Sequence, residues 1–183
     1  MRRMRQTQGV RRPEVVIAIL LLFSAPVIAK DWKRFVIGGS GASIEIPFAV
    51  KRTAVTLPGE TMKNMSHFEA YRADSSGSTV IVSYGVFKKQ GGSIDSAIKS
   101  AAVNVQISAT ATDFKQMTSK FKVSGKEARV LKASFKSGAN TILYRQLIVD
   151  SGLKRWQVVM YFPSSNGSGA AMANRMFASM RIK

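Results

Sequence analysis

Two runs of alternating side chains near the C-terminal end predict the centre of the fold. Residues 140–163 read NTILYRQLIVDSGLKRWQVVMYFP, and Asp150-Ser151-Gly152 between the two runs is a turn signal typical of a hairpin. Because successive strand side chains point to opposite sides, the second run places four large apolar residues on one face: Trp156, Val158, Met160 and Phe162. The first run is apolar on both sides, which is typical of a strand covered on both faces. We therefore predict a sheet with this hairpin at its centre and helices packed over it.

The same patterns predict the remaining elements. Short alternating segments predict strands within residues 35–47, 66–73, 78–87, 114–123 and 127–136. Ser93 is a fair N-cap, and apolar residues recur every three or four positions from there to residue 107, which predicts a helix. A similar spacing predicts a last helix over 170–180, whereas Leu57-Pro58-Gly59 marks residues 52–64 as a loop. The predicted order is strands, helix, four strands, helix.

This order and several phrases resemble the Mog1/PsbP-like fold. The phrases are Ile44-Glu45-Ile46-Pro47, Ser93-Ile94-Asp95-Ser96-Ala97, and a hairpin containing Tyr144-Arg145-Gln146 and Trp156-Gln157-Val158-Val159. The resemblance covers residues 42–183 and implies an α+β fold, an antiparallel β-sheet sandwiched by helices (α/β/α). The family includes photosystem assembly and oxygen-evolution subunits, a nuclear-transport accessory and bacterial envelope proteins. It therefore implies a binding or scaffolding module that is not an enzyme and uses no cofactor, by analogy of fold.

The N-terminus has the layout of a secretory signal peptide. An apolar run over residues 15–28 follows a basic stretch and ends at Val27-Ile28-Ala29, which offers short side chains before a cleavage site. The run of 14 residues is shorter than the ~20 that span a bilayer. We expect cleavage near Ala29, a single domain over residues 30–183 and a periplasmic or secreted location. An uncleaved signal anchor is the alternative.

Composition excludes several classes of chemistry. The chain has no cysteine and one histidine, so thiolate nucleophiles, thiolate metal sites and disulfides are absent. A Ser-His-Asp site would need His67, and no Gly-x-Ser-x-Gly elbow presents a serine. The acidic residues are scattered, which gives no pair of carboxylates for acid–base catalysis.

Positive charge dominates the chain, which has 28 Lys and Arg against 10 Asp and Glu. Removal of residues 1–29 takes away five arginines and one glutamate and leaves a net charge of +14.

The densest basic cluster comprises Lys115, Lys120, Lys122, Lys126, Arg129, Lys132 and Lys136. If both strands present these residues on one face, they form a contact site for an anionic envelope surface. The alternative is edge protection, since lysines on outer strands prevent edge-to-edge pairing. No aromatic signature of RNA binding accompanies the cluster, so specific nucleic-acid binding is not expected.

A second candidate site is Met62, Met65 and His67. Thioether and imidazole groups are soft ligands that suit Cu(I), and a loop entering a strand could gather all three. Methionine is also an ordinary filler of apolar gaps.

The sequence therefore favours an exported, non-enzymatic envelope protein that contacts another envelope protein or an anionic surface. A periplasmic ligand- or copper-binding module is the alternative.

Overall fold

A seven-stranded antiparallel sheet organises the fold. The computed structural model describes residues 31–55, 57, 59–75 and 77–183, and the predicted signal peptide lies outside them. In chain order the elements are β1 (Lys33–Ile37), β2 (Ala42–Ile46), β3 (Lys51–Arg52), α1 (Gly59–Lys63), β4 (Met65–Ser75), β5 (Ser78–Phe87), α2 (Ile94–Ser108), β6 (Thr112–Val123), β7 (Lys126–Ser137), β8 (Asn140–Ser151), β9 (Lys154–Pro163), α3 (Gly169–Ser179) and β10 (Arg181–Ile182). The large sheet has the order β3-β4-β5-β9-β8-β7-β6, and a smaller sheet has the order β1-β2-β10.

The predicted central hairpin is confirmed. Its second strand, β9, is the fourth of the seven strands and pairs with β5 on one side and β8 on the other. The four apolar side chains predicted to share a face, Trp156, Val158, Met160 and Phe162, are each at most 1% exposed. Strands in the middle of a sheet are covered on both faces, which explains why the first strand of this hairpin is apolar on both sides.

Different elements cover the two faces of the large sheet. On one face α2 packs its apolar stripe against Leu131, Phe135 and Tyr144. On the other face β2 and α3 pack over the row that contains Trp156 and Met160. The predicted antiparallel sheet is thus confirmed. Helices are not its only cover, because the three-stranded sheet shares the second layer with α3.

Three short elements depart from the prediction. The segment predicted as a loop contains β3 and the five-residue helix α1, and the last helix is followed by β10, which pairs with β2 through Arg181 and Ser43. Elements of two to five residues are shorter than the window in which a hydrophobic period is recognisable. Within the described residues, no helix is long and apolar enough to cross a membrane.

Candidate functional site

The register of the outer strands brings three basic side chains to one face of the large sheet. β6 is the edge strand, and with β7 it forms the outer hairpin. Met117 of β6 lies opposite Lys132 of β7, which in turn lies opposite Arg145 of β8. Directly opposed residues in neighbouring strands share a face. The next row places Lys115 and Leu143 on the two sides of Ser134.

These two rows line a shallow groove of about 360 Å³. We call this site the basic groove and define it by Lys115, Met117, Lys132, Leu143 and Arg145. No carboxylate lines it. Met117 contributes an apolar side chain that is 58% exposed. The groove therefore combines several positive charges with an accessible apolar surface.

Arg145 is the most firmly held cation of the basic groove. Its Nη1 donates hydrogen bonds to the carbonyl oxygens of Tyr144 at 2.8 Å and Ala133 at 3.3 Å, and its guanidinium carbon lies 5.9 Å from the ring centroid of Phe162. Burial lowers the pKa of the Arg145 guanidinium from its ordinary value, but an arginine remains charged in proteins. This arginine therefore adds a positive charge of fixed position to the groove.

In the described part of the chain, the cations of the basic groove form no ion pairs, although the carboxylate of Asp113, which is paired with Lys136, also interacts electrostatically with Lys115. Among the described residues, no carboxylate forms an ion pair with Lys115, Lys132 or Arg145. Elsewhere on the sheet other arginines are paired with aspartates, namely Arg72, Arg129 and Arg155. The Nε of Arg155 lies 2.6 Å from Oδ1 of Asp150. An unpaired group of cations attracts anions more strongly than a mixed surface does.

The structure divides the predicted basic cluster between two faces of the outer hairpin. Lys115 and Lys132 lie in the basic groove, whereas Lys120 and Lys122 belong to the face that α2 covers, where Lys120 lies opposite Arg129. Lys126 begins β7 at the hairpin turn. The seven residues therefore do not form one basic plate.

Two members of the cluster are engaged in ion pairs. Arg129 is only 7% exposed, and its Nε lies 2.6 Å from Oδ1 of Asp95 in α2. The Nζ of Lys136 lies 2.8 Å from Oδ2 of Asp113. The hydrogen bonds from Arg129 and Lys136 hold the carboxyl pKa of Asp95 and of Asp113 below its usual range. Both basic residues thus serve the fold.

Arg145 was missed by the sequence analysis, although a signal for it existed. Strand alternation places Arg145 on the same side as Leu143 and Leu147, so a lone arginine on an apolar side marked a special position. Its proximity to Lys132 depends on the register between β7 and β8, which alternation within one strand does not define.

The predicted copper ligands lie at the opposite edge of the sheet. Met62 is exposed in α1, and the methyl group of Met65 packs against Gly85 of β5. The His67 Nε2 lies 2.9 Å from Oε1 of Glu69, and a register shift separates Met65 from His67. Within the described part of the chain, no three His, Cys, Asp or Glu side chains form a metal-binding group. The copper hypothesis stays a prediction.

Comparison with known proteins identifies the fold. Neither the protein-family models nor the curated protein sequences include a match to this chain. The solution structure of cyanobacterial PsbP (CyanoP) from Synechocystis sp. PCC 6803 is similar, with a TM-score of 0.60 and 11% sequence identity over 88% of this chain and 99% of that chain. LpqN, involved in cell envelope biogenesis of Mycobacterium tuberculosis, gives a TM-score of 0.49 and 12% identity over 82% of this chain and 90% of that one. The chain has a Mog1/PsbP-like fold, as the sequence resemblance implied.

Proposed function

We propose that this protein is an exported, non-enzymatic module that docks on anionic phospholipid headgroups through the basic groove. Export rests on the basic and apolar pattern of residues 1–29. Docking rests on one observation, namely that three cations without ion-pair partners share a face with an exposed apolar side chain. No acidic side chain lines the groove, so an anion that enters it meets only basic, apolar and neutral polar side chains.

The chemistry of the basic groove fits a phosphodiester headgroup. A guanidinium offers parallel N–H donors that match phosphate oxygens, and lysine adds a mobile point charge. Each basic residue close to an anionic membrane surface contributes about 1 kcal/mol to binding. Met117 and Phe121 lie on the same face of β6 and are 58% and 37% exposed. They therefore extend an apolar contact into the headgroup region. We therefore expect the basic side chains to contact the headgroup phosphates and the two apolar side chains to enter the headgroup region.

The test compares two double variants of the outer hairpin that have the same net charge. Lys115→Gln with Lys132→Gln removes both lysines of the basic groove, whereas Lys120→Gln with Lys122→Gln removes two lysines from the opposite face. The mature domain is titrated with vesicles of phosphatidylglycerol mixed with phosphatidylcholine. We expect the groove variant to bind about tenfold to thirtyfold more weakly, because two surface cations contribute ~2 kcal/mol. The control variant should lose less than about threefold, through the general field alone.

Three results would contradict the proposal. If both double variants lose the same affinity, only total charge matters and the outer lysines serve edge protection. If the wild-type domain binds vesicles of phosphatidylcholine alone as tightly as anionic vesicles, headgroup charge is not recognised. The groove variant could instead bind anionic vesicles as tightly as the wild type while failing to bind an acidic protein or polysaccharide. That result would assign the groove to the other partner.

A further inference from the structure

An apolar cavity lies against the face of the sheet that α2 covers. It has a volume of about 150 Å³ and is located between the last turns of α2 and the end of the sheet. Val105 and Ala109 line it from the helix side. Phe135, Ile142 and Tyr144 line it from the sheet side and belong to the core beneath α2.

The cavity exists because small helix residues face large sheet residues. α2 buries Ile94, Ile98 and Ala102 along its first three turns. Its last turn points Ile107 into solvent, 71% exposed, and leaves only the shorter Val105 and Ala109 above the aromatic rings. Protein interiors are normally packed as densely as organic crystals. Space of this size beside a well-packed core is therefore available to a ligand.

The lining specifies the chemistry of that ligand. No acidic or basic side chain lines the cavity. The hydroxyl of Tyr144 already donates to Oε1 of Gln146 at 2.8 Å, so the wall presents ring carbons rather than a free donor. Tyr161 lies parallel to Tyr144, with ring centroids 6.5 Å apart. Gly77 and Phe162 also line the cavity. Ser108 and Ser137 are partly or fully accessible to solvent, so polar contacts are confined to the rim.

We propose that this cavity binds a small, uncharged hydrocarbon group about the size of a single ring. An enclosed apolar cavity of about 150 Å³ in another protein binds benzene. This cavity has a similar volume and apolar walls, and it opens to solvent beside Ser108 and Ser137. The assignment is independent of the docking of the basic groove, because no residue lines both sites.

Benzene is the probe for the test, and the full mature domain is followed by two-dimensional ¹H–¹⁵N NMR. We expect saturable shifts at Val105, Phe135 and Tyr144. Val105→Trp should fill the cavity and weaken binding by at least about tenfold, whereas Val103→Trp should bind like the wild type. Val103 is the matched control because it is an exposed valine of the same helix. Benzoate, which carries a charge, should bind at least about tenfold more weakly than benzene.

A second substitution keeps the test valid if Val105→Trp disturbs the helix. Ala109→Leu fills the other helix-side wall with a smaller group, and Ala139→Leu in the exposed turn before β8 is its control. Far-ultraviolet circular dichroism checks that each variant is folded. Shifts that do not saturate, equal benzene affinity in the filled and control variants, or benzoate binding as tight as benzene binding would each overturn the proposal.

Discussion

At the scale of single residues, Trp156 is the largest fully buried side chain among the described residues. It is 1% exposed and stacks on Tyr84 of the neighbouring strand, with ring centroids 5.4 Å apart. It lies opposite Val149 on its other side. Aromatic side chains bury large apolar areas, so truncation of Trp156 should be strongly destabilising.

Trp156→Ala should lower the free energy of unfolding by roughly 3–5 kcal/mol, the usual range when a large aromatic site is emptied. Urea unfolding followed by circular dichroism measures the change. Trp32→Ala is the control, because Trp32 is only partly buried and its ring lies 4.1 Å from the guanidinium carbon of Arg175. The control should lose about 1 kcal/mol, as expected for a cation–π contact near the surface. A change below about 1 kcal/mol for Trp156→Ala would contradict its place in the core.

At the scale of elements, α2 is fixed at its N-terminal end. The Ser93 hydroxyl accepts a hydrogen bond from the backbone N–H of Ser96 at 3.2 Å. Asp95 lies in the first turn, where the helix dipole favours a negative charge, and it binds the buried Arg129 of β7. The cap and the ion pair together hold the start of the helix on the sheet, while its C-terminal end stands above the apolar cavity.

Ser93→Ala should destabilise the protein by about 1 kcal/mol, because one N–H at the helix start loses its acceptor. Ser100→Ala is the matched control, since Ser100 is an exposed serine in the middle of α2. The control should change stability by less than about 0.5 kcal/mol. Amide hydrogen exchange gives a second readout, in which loss of the cap should speed exchange in the first turn of α2. Equal effects of the two substitutions would show that the cap does not hold the helix.

At the scale of the whole molecule, hydrogen bonds hold several carboxyl groups in their charged form. The pKa values of Glu69, Asp74, Asp95 and Asp113 lie below their ordinary values. The main causes are hydrogen bonds from Tyr71, Arg72, Arg129 and Lys136 respectively. At acidic pH the unfolded chain therefore binds more protons than the folded protein does.

Stability should fall on acidification. A carboxyl group with a lowered folded pKa stabilises the protein above its unfolded pKa of about 4, and this contribution is lost as the pH falls through the lower folded value. The urea midpoint should be constant near neutral pH and decrease below about pH 4. The double variant Asp74→Asn with Asp95→Asn should be less stable at neutral pH and show a shallower decrease. Identical slopes for the two proteins would contradict a role for these pairs.

Export is also a property of the whole molecule and is a separate prediction. N-terminal sequencing of the protein from an envelope fraction should begin at Lys30, because residues 15–28 are too short an apolar run to span a bilayer comfortably. A membrane-bound product that retains residues 1–29 would instead show a signal anchor.

The sequence by itself determined which segments form strands and helices wherever a hydrophobic period runs for about two turns or five strand positions. This is why the central hairpin, α2 and α3 were predicted close to their observed limits. The spacing of apolar residues shows which side of an element is buried. It therefore also indicated that the face of β9 with Trp156 and Met160 is buried. The short elements α1, β3 and β10 carry too few residues for a period.

Only the tertiary structure decided which side chains of different strands meet. Alternation assigns each residue to one of two faces, but a shift of one residue in the register moves every side chain of a strand relative to its partner. The pairing of β6 with β7 therefore separated Lys132 from Lys120, and the pairing of β7 with β8 brought Arg145 to the basic groove. The apolar cavity has the same origin, because its walls come from residues far apart in the chain. Their distance is determined by how α2 lies across the sheet, which no local pattern encodes.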